Sequence, residues 1–374
     1  MKRLLIFLLL GLFVFTGCED ITPNKKTAAP PEPPREETFT ITAVGDIMMH
    51  STQIKAGYQA ENKTYDFSSF FTEVKPYFEQ ADFVIGNLET TLSDNPKLYS
   101  GYPRFNAPAI LAQNLKDAGF DCLVTANNHC LDKGVNITYQ TLDYLDEANL
   151  LHTGTSRSPE EQEKICYTNI KGVKVAILAY TYGTNGLKPP SGHEHAVNLI
   201  EEIKITSTIK KARAEGAQLI ILCLHFGEEY RDRPDNNQIY LAKTCFKAGA
   251  DVILGSHAHV LQGSDIIIND EGKKQYVVYS LGNFISDQNG LERKTAVIAN
   301  LHFGIDPETQ EPYFKNSSYI PVWTRKWTAN NKTNFKIIPI DEALAQIREA
   351  ELGDYSRQEI IDLQQAEIHV SAYY

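Results

Sequence analysis

Several features that fix a protein's chemistry early are missing from this sequence. It has no glycine-rich phosphate loop, no internal repeat and no glycine-flanked serine of the nucleophile-elbow type, so neither P-loop nor Ser-His-Asp chemistry is indicated. Cysteines are few, six in 374 residues, and none shows CxxC spacing. Leaving Cys18 aside, the remaining Cys122, Cys130, Cys166, Cys223 and Cys245 are an odd set that argues against a disulfide framework. Positive charge is also scarce: 36 Lys and Arg face 47 Asp and Glu, a net charge of −11. That balance argues against nucleic acid as a partner and against electrostatic adhesion to a membrane. A polyanionic substrate must then be met by metal and by local Lys or Arg.

No apolar run is long enough to span a bilayer. The longest, Leu4 to Phe15, follows Lys2-Arg3 and reads as the apolar region of an export signal. It ends in Phe15-Thr16-Gly17-Cys18, which resembles a bacterial lipobox and makes Cys18 the expected lipidation site. Residues 1–17 are thus expected to be a lipoprotein signal peptide. Residues 18–37 carry Pro23, Pro30, Pro31, Pro33 and Pro34 without apolar periodicity and read as an extended tether. These segments place the chain outside the cytoplasm, lipid-anchored to the bacterial cell membrane. A main domain is expected over 38–325, followed by a C-terminal extension with surface helices over 326–374.

What the sequence does contain is a regular alternation. Short apolar, β-branched runs begin at Phe39, Phe83, Cys122, Val173, Leu219, Val252, Tyr276 and Thr295. Stretches of helical period such as 109–118, 141–150, 197–214 and 238–248 separate several of them, the last two closed by Gly216 and Gly249. This predicts an α/β fold with buried parallel strands. From Gly263 onward strands follow one another directly, with a hairpin expected between 265–268 and 275–279. Helices outside a mixed pair of sheets is the architecture these runs imply.

Polar clusters ride on the ends of the runs, where open α/β sheets place their chemistry. Asp46 after Gly45 is a hard anionic metal ligand, although a lone Gly-Asp is ordinarily a turn. In extended backbone Met48 and His50 would share its face, and Met48 is a poor ligand for Zn²⁺ or Mn²⁺. Asn87 and Glu89 repeat the pattern, with Glu89 the candidate bridging carboxylate. Asn127-Asn128-His129 offers an amide oxygen for the metal and an imidazole to donate a proton, with Asp132 near enough to orient it. His225 ends an apolar strand and, read alone, suits a core histidine as well as a ligand. Of two His-x-His pairs, His257 and His259 follow a strand directly and are assigned as ligands, whereas His193 and His195 lie in a Pro-rich loop as candidate substrate contacts. Gly282 and Asn283 form a possible anion-binding turn. Metal-activated water is the economical nucleophile for such a set.

In this order, Val44-Gly45-Asp46, Gly86-Asn87-Leu88-Glu89-Thr90, Ala126-Asn127-Asn128-His129, His225-Phe226-Gly227-Glu228-Glu229-Tyr230, Gly255-Ser256-His257-Ala258-His259 and Ser280-Leu281-Gly282-Asn283-Phe284 resemble the CapA family of capsule and poly-γ-glutamate biosynthesis proteins, a branch of the calcineurin-like metallophosphoesterases. The resemblance implies a four-layer α/β/β/α sandwich holding one or two divalent cations, Mn²⁺ or Zn²⁺. It implies Asp46, Glu89 and His259 on one metal, and Glu89, Asn128, His225 and His257 on the other. His129 with Asp132 would be catalytic, and Asn87, Asn127, Glu229, Gly282 and Asn283 would contact substrate. The chain departs from the superfamily at Asp46-Ile47-Met48, where phosphoesterases carry Asp-x-His.

Three functions follow from that reading. The first is a metal-dependent hydrolase or transferase acting in synthesis, export, release or anchoring of poly-γ-glutamate or a related anionic capsule polymer. The second is a surface phosphodiesterase or nucleotidase, and the third a non-catalytic scaffold subunit of a membrane polymer synthase. The expected partners are the polymer, the membrane through the lipid anchor, and membrane subunits of the synthase.

Overall fold

The computed structural model describes residues 36–329, 331–350 and 354–374. The expected signal peptide, Cys18 and nearly all of the tether lie outside the described residues. Among those residues no helix is long and apolar enough to cross a membrane.

Thirteen strands build two mixed sheets. In chain order they are β1 (Glu37–Ile47), β2 (Phe83–Leu88), β3 (Cys122–Val124), β4 (Leu151–Thr153), β5 (Cys166–Ile170), β6 (Val173–Thr181), β7 (Leu219–His225), β8 (Val252–Ser256), β9 (Leu261–Ile268), β10 (Lys274–Leu281), β11 (Thr295–Ile305), β12 (Pro312–Ala329) and β13 (Lys332–Pro339). A seven-stranded sheet runs β13-β12-β11-β1-β2-β3-β4, and a six-stranded sheet runs β9-β10-β8-β7-β6-β5. β1 through β4 of the first sheet are mutually parallel where they pair, as are β6, β7, β8 and β10 of the second. The expected hairpin is present, with Ile268 opposite Lys274 across the turn.

The layering follows from side-chain alternation along each strand. On β6, Val175, Ile177 and Ala179 point between the sheets and meet Phe39, Ile41 and Ala43 of β1. Ala176, Leu178 and Tyr180 point the other way, against Ile205 and Ile209 of a helix spanning Glu202–Ala214 and Phe246 of one spanning Asn236–Ala248. On the far side of the seven-stranded sheet, Val84 and Leu123 pack on Leu111 and Leu115 of the helix Ile110–Ala118 and on Leu142 and Leu145 of the helix Val135–Glu147. Helix, sheet, sheet, helix is thus the observed order, the four-layer α/β/β/α sandwich. Strands covered on both faces carry apolar residues at both parities, which is why the runs read as continuous.

The C-terminal boundary needs correction. β12 runs through the position 325/326 where the extension was expected to begin, and it pairs with β13 from Val322↔Pro339 to Ala329↔Lys332. The sheet therefore ends at Pro339. Among the described residues the helices Ile340–Ala350 and Arg357–Val370 lie beyond it, seated by Leu344 and Leu363 on Trp323 and Ile338. The polar stretch 324–334 hid the far half of β12 and the edge strand β13.

Candidate metal centre

The ligand-bearing residues come from the carboxyl ends of strands in both sheets. Asp46 and Asn87 are register partners on the parallel pair β1 and β2, after a bulge between Ala43 and Asp46. His225 ends β7 opposite Ser256, the last residue of β8. The two sheets are stitched together beside them. The Asp46 N–H donates to Gly282 O at 3.0 Å, and a Cβ on Gly45 would sit 1.9 Å from that same oxygen. Glycine at 45 is therefore required for the backbones to approach closely enough to bring Asp46 to the second sheet.

All six predicted metal ligands converge, and all are buried: Asp46, Glu89, Asn128, His225, His257 and His259. Asp46, Glu89 and His225 each bring a ligand atom within 4.8 Å of the others, as do Glu229, His257 and His259. Glu89 lies at the middle, with Oε1 3.6 Å from His225 Nε2 and 3.8 Å from His259 Nε2. Asn128 Oδ1 is 3.0 Å from His225 Nε2. His259 Nδ1 faces Asp46 Oδ2 at 3.1 Å and Asn283 Oδ1 at 2.9 Å. The grouping differs from the expected one: His225, expected on the second metal, stands with Asp46 and Glu89, while His257 and His259, expected on different metals, stand together with Glu229, expected on the substrate.

Burial and neighbouring like charges move the titratable groups of the site away from their ordinary values. Burial, and next the Asp46 carboxylate, push the Glu89 carboxyl well above the ordinary carboxylate range. Burial and the facing imidazoles of His257 and His259 push His225 well below the ordinary histidine value. Burial, then His259, lowers His257 to about 4. Two side-chain atoms here, Glu89 Oε1 and His257 Nδ1, are buried with no hydrogen-bond partner. Leaving such atoms unpaired is costly, and a cation among carboxylates, imidazoles and an amide oxygen satisfies both. The residues therefore fit a divalent metal.

His257 and His259 reach the site by a route other than the expected one. They lie past the end of β8 with φ of +94° and +58°, so the left-handed backbone, not strand alternation, turns both rings inward. Non-glycine residues rarely adopt such angles, and pairs of them mark sites where the surroundings enforce the geometry.

Asn87, Asn127, Gly282 and Asn283 were expected to contact substrate, but their polar groups are already engaged. Asn87 Nδ2 donates to Asp46 Oδ1 at 2.7 Å, and Asn127 Nδ2 donates to Leu88 O at 2.8 Å. Asn283 Nδ2 donates to Arg293 O at 2.9 Å, and the Gly282 N–H donates to Ser280 Oγ at 3.3 Å. These residues hold the ligands in place, as outer partners of metal sites do. Met48 is buried, and its N–H donates to Ile285 O at 2.9 Å. His193 and His195 both lie 3.0 Å from the Tyr139 phenol oxygen, and among the described residues neither contacts the metal centre.

His129 and Asp132 meet as expected. His129 Nδ1 is 2.7 Å from Asp132 Oδ2, which also accepts the Phe105 N–H at 2.6 Å. With Nδ1 held, Nε2 is the nitrogen left for proton transfer. Two aromatic residues complete the site without having been singled out. The Phe105 ring is wedged edge-on between His50 and His129, at 5.0 and 4.7 Å. Tyr182, one residue past the end of β6, lies 4.5 Å from the His257 ring. A polar or aromatic residue directly after an apolar run was the available signal for Tyr182. None existed for Phe105, which comes from a loop. All five cysteines beyond Cys18 are free thiols.

Comparison with known proteins agrees in the region of these motifs. A family described as "Bacterial capsule synthesis protein PGA_cap" matches residues 40–288. The chain is similar to the capsule biosynthesis protein CapA of Bacillus anthracis, with 33% identity over 287 residues, 74% of this chain and 67% of that one. It is also similar to the PGA biosynthesis protein CapA of Bacillus subtilis (strain 168), with 30% identity over 316 residues, 80% of this chain and 74% of that one. Among solved structures it is similar to the NAD nucleotidase of Haemophilus influenzae, with TM-score 0.49 and 14% identity, covering 89% of this chain and 60% of that one. The calcineurin-like phosphoesterase YfkN of Bacillus subtilis gives TM-score 0.44 and 14% identity, covering 89% and 100%.

Proposed function

This chain belongs to the bacterial capsule synthesis protein family, and on that premise we propose that it is a metal-dependent enzyme cleaving or transferring amide bonds of an anionic capsule polymer, γ-linked polyglutamate first. The observation that carries the reading is the pair of buried, unpartnered ligand atoms, Glu89 Oε1 and His257 Nδ1, at the convergence of Asp46, His225 and His259. Asp46, Glu89, Asn128, His225, His257 and His259 would hold one or two ions, with Mn²⁺ and Zn²⁺ both suited to mixed nitrogen and oxygen donors. When bound, the cation supplies Lewis-acid polarisation of the substrate carbonyl and a water of lowered pKa.

The chain's own residues do the rest. Asp132 fixes the His129 tautomer through Nδ1, and His129 Nε2 donates a proton to the departing amine nitrogen. Phe105 and Tyr182 wall the site with aromatic surface and limit water around the reacting groups. Asn87 and Asn283 keep the Asp46 and His259 side chains aimed at the centre.

In this reading the enzyme works at the cell envelope, anchored through Cys18 on the tether of residues 18–37, beside membrane subunits of a polymer synthase. Elemental analysis of the purified chain, paired with size analysis of γ-linked polyglutamate after incubation, tests it. Stoichiometric Mn or Zn with chelator-sensitive shortening or transfer of the polymer is expected. A metal-loaded protein that neither binds nor alters the polymer overturns the reading, as does faster action on an activated phosphodiester.

A further inference from the structure

Directly beside the His129–Asp132 pair lies a cavity of about 450 Å³ whose walls include Arg104, Asp132, Lys133, Gly134, Lys188 and Pro190. One wall is the loop after β6, the other the segment joining Asp132 to the helix Val135–Glu147. Arg104, Lys133 and Lys188 all line it, yet among the described residues none of the three takes part in an ion pair. The single carboxylate in the wall, Asp132, is buried and turned inward to His129 and the Phe105 N–H. The charges that reach the cavity's solvent are therefore all positive. The helix start at Gly134 and Val135 adds to the same sign, since no side chain caps it and no acidic residue occupies its first turn.

What sets these three cations apart, in a chain of net charge −11, is that they line one concave site whose single carboxylate faces away. Like charges gathered in a concave site with no carboxylate facing them reinforce one another's attraction for an anionic ligand. We infer that this cavity is a polyanion-binding subsite contiguous with the metal centre, where Arg104, Lys133 and Lys188 hold the negative groups of the polymer next to the unit that reacts. On the functional reading given above, on which its assignment to polyglutamate rests, those groups are the free α-carboxylates that a γ-linked chain carries on every residue. Arg104 offers a planar fork for a carboxylate, and the two lysines offer point charges that tolerate sliding of an extended chain.

The test uses the full-length protein and the R104A/K133A/K188A variant. A fluorescent γ-linked glutamate oligomer and, separately, inorganic polyphosphate are titrated by anisotropy at low and high salt, with metal content and Tm measured in parallel. Because the three positions lie on the surface of the cavity, Tm and metal content are expected to match wild type. Affinity for the glutamate oligomer is expected to fall by about tenfold or more, with a flatter salt dependence. If wild type binds polyphosphate through these residues and ignores polyglutamate, the subsite stands and the polymer assigned to the enzyme is wrong. If the variant binds both polyanions as wild type does, or wild type binds neither, the inference is overturned.

Discussion

His129 Nδ1 and Asp132 Oδ2 lie 2.7 Å apart in a buried pair, with the Phe105 N–H donating to the same carboxylate oxygen. The carboxylate thus fixes the imidazole's tautomer and stabilises the positive charge it takes up. Asp132→Asn keeps the shape and removes the charge. We expect it to slow polymer cleavage on the order of 10²-fold to 10⁴-fold with metal content unchanged. Rate measurement on γ-linked polyglutamate alongside elemental analysis checks this; a variant as fast as wild type removes His129 from proton transfer.

Glu89 separates metal binding from folding. Burial already favours its neutral form in metal-free protein, so Glu89→Gln is expected to change metal-free stability by less than about 1 kcal/mol. The gain in stability on adding Mn²⁺ or Zn²⁺, about 2.7 kcal/mol at a hundredfold excess over Kd for wild type, should vanish. Denaturation midpoints with and without metal give both numbers.

The histidines set an acid limit for the metal-free protein. His50 and His257 are each lowered to about 4 by burial, while their unfolded value is near 6.5. Their contribution is complete above pH 6.5 and is lost as pH falls toward 4, up to about 3 kcal/mol for each. Glu89 acts in the opposite sense: its raised value stabilises at low pH and is lost as pH rises through it. Urea midpoints of Glu89→Gln across this range isolate the histidine slope, and a flat profile there contradicts it.

Gly45→Ala probes the seam between the sheets. Its Cβ would meet Gly282 O at 1.9 Å, so one backbone must retreat and the Asp46 N–H loses its acceptor. A loss of about 1–3 kcal/mol or more is expected, together with weakened metal retention. Retained stability with normal metal content would show the two strands to be freer than this contact implies.

Much of the site was legible because each ligand follows an apolar run, and buried parallel strands make such runs continuous. Asp46, Glu89, Asn128, His225, His257 and His259 converge for that reason. What escaped were relations that no one-dimensional pattern carries. The rings of His257 and His259 turn inward through positive φ, and the amides of Asn87 and Asn127 hold neighbours fixed through contacts across strands. Phe105 enters from a loop distant in sequence from both histidines it separates. The layering was legible from alternation, whereas the far half of β12 and β13 were not, because the tip of the hairpin they form is exposed and its composition resembles loop.

β1, the first strand of the described chain, is not at an edge of its sheet. It lies between β11, paired antiparallel from Glu37↔Ile305 to Ala43↔Ala299, and the parallel β2. A pull arriving from before Glu37 runs along the strand axis and loads both hydrogen-bond ladders in shear, so many bonds must break together before the strand slips. Asp46 stands at the far end of that strand. The candidate metal site is therefore shielded from mechanical load by the full length of β1.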